Sequence, residues 1–203
     1  MVFSAIKKEL QLDEKVQILG FVGSLRKGSY NKALMRAAVE VAPENALIEV
    51  FDLALIPPFN QDLENNPPQI VKDFKSRIKA ADALLIATPE YNYSIPGVLK
   101  NAIDAASRPY VDNAFDGKPV AIMSASIGIL GGARAQYHLR QCFVFLNMYP
   151  INHPEVMLTH ARDNVDENGN LTNQETRKLI RRLLEELVQW TKKLQAKHAP
   201  VNS

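Results

Sequence analysis

The run Ala83-Leu84-Leu85-Ile86-Ala87 carries no polar residue on either side of the chain. Successive side chains of a strand point to opposite faces, so a sheet with one wet face reads as alternation. An unbroken apolar run therefore asks for cover above and below, which is the condition of a parallel sheet whose crossovers are helices. The rest of the chain has the matching rhythm. Apolar, β-branched runs at 16–22, 47–51, 83–88, 119–124 and 149–156 alternate with helix-periodic segments at 31–41, 69–80, 97–107, 133–147 and 173–197.

This count and order predict an α/β fold. The expected architecture is a flavodoxin-like three-layer α/β/α sandwich around a five-stranded parallel sheet of order 2-1-3-4-5. Such sheets bind ligands beyond the C-terminal ends of their strands, at the switch point between the first and third. With 203 residues, 46% of them hydrophobic, the chain suffices for one such domain. Residues 16–197 are assigned to it, 1–15 to a lead-in arm of a helical turn or two, and 198–203 to a tail. Pro96 starts the third helix, and Thr172 with Glu175 forms a T-x-x-E capping box before the last. Leu179, Leu183, Leu187, Trp190 and Leu194 make an apolar stripe on that last helix, so Trp190 is expected in the core.

Two loops fall at the predicted switch point. The first strand runs into Gly23-Ser24-Leu25-Arg26-Lys27-Gly28-Ser29-Tyr30-Asn31 and then directly into a helix. A helix N-terminus presents unpaired N–H groups and a partial positive charge, so this is a phosphate cradle. Ser24, Ser29 and Asn31 add polar side chains, Gly23 and Gly28 allow close approach, and Arg26 or Lys27 adds a cation. Ser29 stands where a Walker A loop would have lysine, and the glycine spacing is not that of a dinucleotide fingerprint. A monophosphate held without a metal is the reading that remains. The third strand runs into Thr88-Pro89-Glu90-Tyr91-Asn92-Tyr93-Ser94-Ile95-Pro96-Gly97. Prolines stiffen both ends of this loop, which can lay backbone groups along the edge of a flat heterocycle. Glu90 is expected to close it by bonding to backbone amides. A third loop, 124–132, brings Ser124 and Gly128 to the other ring edge, with Arg134 just beyond. One loop suits a phosphate and the others a planar ring, so the expected ligand is a mononucleotide with a large base.

These segments, together with Leu99-Lys100-Asn101-Ala102-Ile103-Asp104 and 131–140, resemble the NADPH-dependent FMN reductase family, in particular its bacterial quinone- and chromate-reducing members. The resemblance spans about residues 16–160. It implies non-covalent FMN, NADPH or NADH as co-substrate, and ping-pong reduction of quinones and related acceptors such as flavin, chromate or azo compounds. It places Ser24, Arg26, Ser29, Tyr30 and Asn31 around the phosphate. Pro89, Glu90, Tyr91, Asn92 and Tyr93 would lie along the ring, joined by Ser124 and Gly128. It also implies a homo-oligomer, a dimer or homotetramer, with Arg134, Tyr137 and Glu155 tied to subunit contacts. No side chain is expected as acid or nucleophile, since hydride transfer belongs to the flavin. The alternatives are an FMN electron carrier, a non-catalytic flavin-binding module, and an azo- or nitro-compound reductase.

The remaining composition excludes more than it assigns. A net charge of +2, from 24 basic and 22 acidic residues, is too small for a nucleic-acid partner and unlike the acidic balance of carrier flavodoxins. No apolar run is long enough to cross a bilayer and no secretory h-region opens the chain, so a cytoplasmic protein is expected. The single cysteine, Cys142, permits no internal disulfide and sits in an apolar run, as a small hydrophobe rather than a reactive thiol. His138, His153, His160 and His198 are scattered and are expected at the surface or an interface. Asn164-Val165-Asp166-Glu167-Asn168-Gly169 nearly spells a calcium loop, but its first position is Asn and no helix enters it; an Asn-Gly turn is the better reading.

Overall fold

A computed structural model describes residues 15–198, so all of the proposed arm but Lys15 and all of the tail but the backbone of His198 lie outside the described residues. The strands are β1 (Val16–Val22), β2 (Ala46–Phe51), β3 (Ala83–Thr88), β4 (Pro119–Ala125), β5 (Tyr149–Pro150) and β6 (Val156–Leu158). The helices are α1 (Tyr30–Glu40), α2 (Gln69–Ala80), α3 (Gly97–Ala106), α4 (Ala133–Leu146) and α5 (Gln174–His198). The sheet is parallel in every pair, with order β2-β1-β3-β4-β5 and β6 also paired to β4. Every residue of β3 is buried, as its unbroken apolar run requires.

The expected fifth strand is two strands. Tyr149 and Pro150 pair with Pro119 and Val120, whereas 156–158 pair with 123–125. Pro150 and Pro154 have no N–H to give a ladder, so the chain leaves the sheet between them and returns.

Each face of the sheet has its own core. On one face α1 and α5 bury Leu34, Met35, Leu184 and Leu187 against Ile18, Leu85 and Met123. On the other, α2, α3 and α4 bury Phe74, Ile103, Leu139 and Phe143 against Phe21, Leu84 and Ile86. Phe21 and Phe74 meet edge to face with ring centroids 5.5 Å apart, a favoured aromatic geometry.

Two local expectations shift. The N-cap of α5 is Asn173, whose side-chain oxygen accepts from Thr176 N at 2.8 Å; Thr172 instead donates its own N–H to Asn164, and Glu175 pairs with Lys178. Asn is the better cap and sits one residue nearer the apolar stripe. That stripe is centred on Ile180, Leu183, Leu184, Leu187 and Val188, which leaves Leu179 and Trp190 on its margin. Trp190 packs on the core with its indole N–H donated to Tyr149 O at 3.1 Å. The near-calcium loop folds on itself: Asp166 accepts from Asn170 N at 2.7 Å and from Asn170 Nδ2 at 3.1 Å.

Asp112 pairs with Lys75 at 2.8 Å and with Lys79, and these ammonium groups, Lys75 first, hold its carboxyl below the ordinary carboxylate value. A depressed native pKa contributes stability above the unfolded value, about pH 4, and that stability is lost as pH falls through the native value. Asp112 is half exposed, so the contribution is a fraction of a kcal/mol. Asp112→Asn is therefore expected to flatten slightly the loss of melting temperature below about pH 4. A melting curve as steep in acid as wild type would contradict this.

Candidate functional site

The three loops identified in the sequence lie side by side at the C-terminal ends of β1, β3 and β4, which are neighbours in the sheet. Gly23 N donates to Ala87 O at 2.8 Å, binding the first loop to the end of β3. A side chain at Gly23 would meet Thr88 Oγ1 at 3.0 Å and Leu99 at 3.2 Å, so this approach needs glycine. Gly28 has no such need: a Cβ there would meet only the Arg26 guanidinium, at 3.4 Å.

Ser29 is the N-cap residue of α1, yet its hydroxyl caps nothing, and the first helical bond recorded runs from Ala33 N to Ser29 O. The N–H groups of Tyr30, Asn31 and Lys32 are thereby left without a partner among the described residues. Helix α3, entered through Pro96, also lacks a side-chain cap, whereas α4, entered through Gly132, has its Arg134 N–H donated to the Glu90 carboxylate. None of the three carries an acid in its first turn. Ser24 and Ser29 are buried in the floor of the first loop, Arg26 and Lys27 are exposed, and the Arg26 guanidinium lies 5.1 Å from the centre of the Tyr30 ring. The Asn31 side chain faces the sheet: Nδ2 donates to Ala125 O at 3.0 Å, and Oδ1 accepts from Ala125 N at 2.9 Å.

In the second loop Tyr91 and Ser94 exchange both backbone hydrogen bonds at 3.0 Å, and Asn92 (φ 50) and Tyr93 (φ 68) are left-handed. This is the geometry of a type I′ turn, and a bulky residue at positive φ is strained. The Arg134 guanidinium covers the Tyr93 ring at 3.6 Å and holds it. Glu90, whose side chain is 8% exposed, does not close its own loop. It reaches across to α4, accepting from Arg134 N at 3.2 Å and from the Arg134 guanidinium. That pairing raises the Arg134 pKa further above its ordinary value and neutralises the acid nearest the three helix ends. His138 Nδ1 and Ser94 Oγ, 3.0 Å apart, tie the same loop to α4 a second time. Pro89 is buried, and Tyr91 and Tyr93 are exposed.

In the third loop Ser124 is wholly buried and its hydroxyl donates to Gly131 O at 2.6 Å. The hydroxyl nearer the surface is that of Ser126, which accepts from Gly128 N at 3.1 Å. Ile127 and Ile129 are exposed beside it. Ser126, Ser94 and Gln136 are the polar residues of this region that the sequence reading passed over. For Gln136 a signal existed, because it falls on the buried stripe of α4 with Leu139, Phe143 and Leu146. Cys142 lies lower on α4, half-buried, and burial pushes its thiol pKa up. It is expected to react only slowly with thiol reagents at neutral pH; rapid labelling of the folded protein would contradict that.

The uncapped donors of α1, the flanking cations and the exposed tyrosines suit a phosphorylated planar ligand, and the fold is that of the flavodoxin-like mononucleotide-binding proteins. Residues 16–163 match the family described as NADPH-dependent FMN reductase, and the chain belongs to that family. It is 48% identical over 184 residues to an NAD(P)H-dependent FMN reductase of Pseudomonas aeruginosa, a match covering 90% of this chain and 99% of the relative. It is 40% identical over 177 residues to a 2-hydroxy-1,4-benzoquinone reductase of a Burkholderia species, covering 87% and 97%. Among solved structures, FerB, a flavoenzyme NAD(P)H:(acceptor) oxidoreductase from Paracoccus denitrificans, superposes with a TM-score of 0.80 at 34% identity, covering 87% of this chain and 97% of that one.

Proposed function

We propose that the protein is an FMN-dependent NAD(P)H oxidoreductase whose acceptors are quinones. The observation that carries this reading is the N-terminus of α1, with no side-chain cap and no acid in its first turn, beside a loop that presents Tyr91 and Tyr93. The amides of Tyr30 to Lys32, the hydroxyls of Ser24 and Ser29, and Arg26 fit a dianionic phosphate. The 89–93 turn and the 126–132 loop would flank the ring. Bound FMN supplies the two-electron relay, taking hydride from the reduced nicotinamide and passing it to the acceptor. The protein's part is to bind, orient and shield. The 126–132 loop would offer backbone donors to the polar edge of a bound ring, the kind of preorganised dipole that stabilises negative charge. The Glu90–Arg134 pair fixes the second loop against α4 so that the ring meets a rigid wall. Nicotinamide and quinone would use the same open face in turn, giving ping-pong kinetics.

The purified protein should be yellow, bleach with NADPH without oxygen, and recover its colour with benzoquinone. Parallel initial-rate lines are expected; intersecting lines would sink the shared-face scheme, and reduction without steady turnover would favour the electron carrier. On α4, Val144 (84% exposed), Phe145 (71%) and Tyr137 leave apolar groups at the surface, which supports a homo-oligomer through this helix. Light scattering that detects only monomer at working concentration would count against it. No helix among the described residues is long and apolar enough to cross a membrane. We place the enzyme in the cytoplasm, where its reduced nicotinamide co-substrate is found.

A further inference from the structure

The C-terminal end of β4 is gripped from both faces of the sheet by buried side-chain amides. From α1, Asn31 exchanges two hydrogen bonds with the backbone of Ala125. From α4, Gln136, which is 1% exposed, donates from Nε2 to Ser124 Oγ at 2.8 Å and to Val156 O at 2.9 Å. A serine hydroxyl has one hydrogen, and with Gln136 donating to its oxygen that hydrogen is committed to Gly131 O, 2.6 Å away. The relay therefore runs Gln136 to Ser124 to Gly131 in a fixed direction.

Packing does not explain a glutamine here. Its Oε1 is buried with no hydrogen-bond partner among the described residues. Flipping the amide would set that oxygen against the Val156 carbonyl, acceptor against acceptor. Other buried residues of the same helix face are Leu139, Phe143 and Leu146. A half-satisfied buried amide is worse for stability than an apolar side chain of its size, so its presence calls for another reason.

We propose that Gln136 is a positioning residue for the flavin ring, acting through Ser124 on the 126–132 loop. Gly131 (φ 57) and Gly132 (φ 90) turn that loop into α4, and the relay holds the carbonyl at the turn. Because Asn31 fastens the phosphate helix to Ala125 and Gln136 fastens the ring-edge loop to Ser124, both ends of the cofactor take their place from two adjacent residues. The inference rests on the FMN reading above.

Gln136→Met keeps length and volume but removes both donors. Flavin would be stripped, the apoprotein titrated with FMN by fluorescence quenching, and the absorption band and midpoint potential of the rebound flavin recorded. Loss of the relay is expected to raise the FMN Kd about tenfold and to move the band and the potential. Ser124→Ala should reproduce these changes, and the double variant should do no more than either single one. Should Gln136→Met fail to fold, Ser124→Ala carries the same test. A lowered melting temperature with unchanged FMN Kd, band and potential would reduce Gln136 to a structural residue and overturn the inference. Wild-type apoprotein that takes up no FMN would instead overturn the parent reading.

Discussion

Ser29→Asp is expected to remove FMN binding while leaving the apoprotein folded. Ser29 stands at the N-cap of α1 with extended backbone angles and an unused hydroxyl. Aspartate is as good a cap as serine and favours the positive end of the helix, which offsets part of the cost of a carboxylate at this buried position, so folding should change by about 1–2 kcal/mol. The same carboxylate would stand where the phosphate belongs. Two unit charges 4 Å apart repel by roughly 4 kcal/mol at an effective dielectric of 20, and a phosphate monoester carries nearly two charges at neutral pH. The FMN Kd should therefore rise about a thousandfold or more. Riboflavin, which has no phosphate, serves as the control and should bind as it does to wild type. Equal FMN affinity in variant and wild type would mean that the phosphate is held elsewhere.

Gly132→Ala tests the opposite case, where fold and site fail together. Gly132 is left-handed at φ 90, and an added Cβ would lie 2.7 Å from Ser124 Cβ and 2.9 Å from Ser124 Oγ. Ser124 is buried and bonded to both Gln136 and Gly131, so it has nowhere to move. Backbone strain of about 1–2 kcal/mol adds to overpacking of about 1–3 kcal/mol. A loss near 3 kcal/mol corresponds to a fall of about 10 °C in melting temperature for a domain of this size, with FMN affinity falling alongside. Gly97→Ala, where a Cβ would meet nothing within 4 Å, is the matched control and should melt within a degree or two of wild type. Equal melting temperatures for the two variants would show that the loop yields more easily than its contacts imply.

The layers, the strand order and the two switch-point loops were legible because they depend on short-range signals. An apolar run such as 83–87 declares two covered faces, and a glycine- and serine-rich turn between strand and helix declares its backbone geometry. What could not be read depends on partners far apart in the chain. Asn31 looks like a phosphate donor until Ala125, 94 residues away, is seen to occupy its amide. Glu90 looks like a loop-closing acceptor until α4 delivers Arg134 to it. Ser124 and Ser126 look equivalent in sequence, but Ser124 lies within β4 and is buried, whereas Ser126 lies just past the strand's last residue, Ala125, and is half-buried. The break between β5 and β6 was visible in Pro150 and Pro154, but a strand-like composition across 149–156 masked it. The cap of α5 was displaced by one residue because Thr172 and Asn173 both have capping chemistry and the chain uses the stronger.

The uncapped N-terminus of α1 has a consequence for the amount of enzyme a cell keeps. The N–H groups of that helix end gain partners when an anion settles on them, so the empty chain opens more readily than the filled one. A ligand present at a hundred times its Kd stabilises its host by about 2.7 kcal/mol, and so cuts the time spent unfolded about a hundredfold. Proteases that act on the opened chain would thus clear molecules that have found no flavin, and vitamin supply would set the abundance of this reductase without any change in transcription.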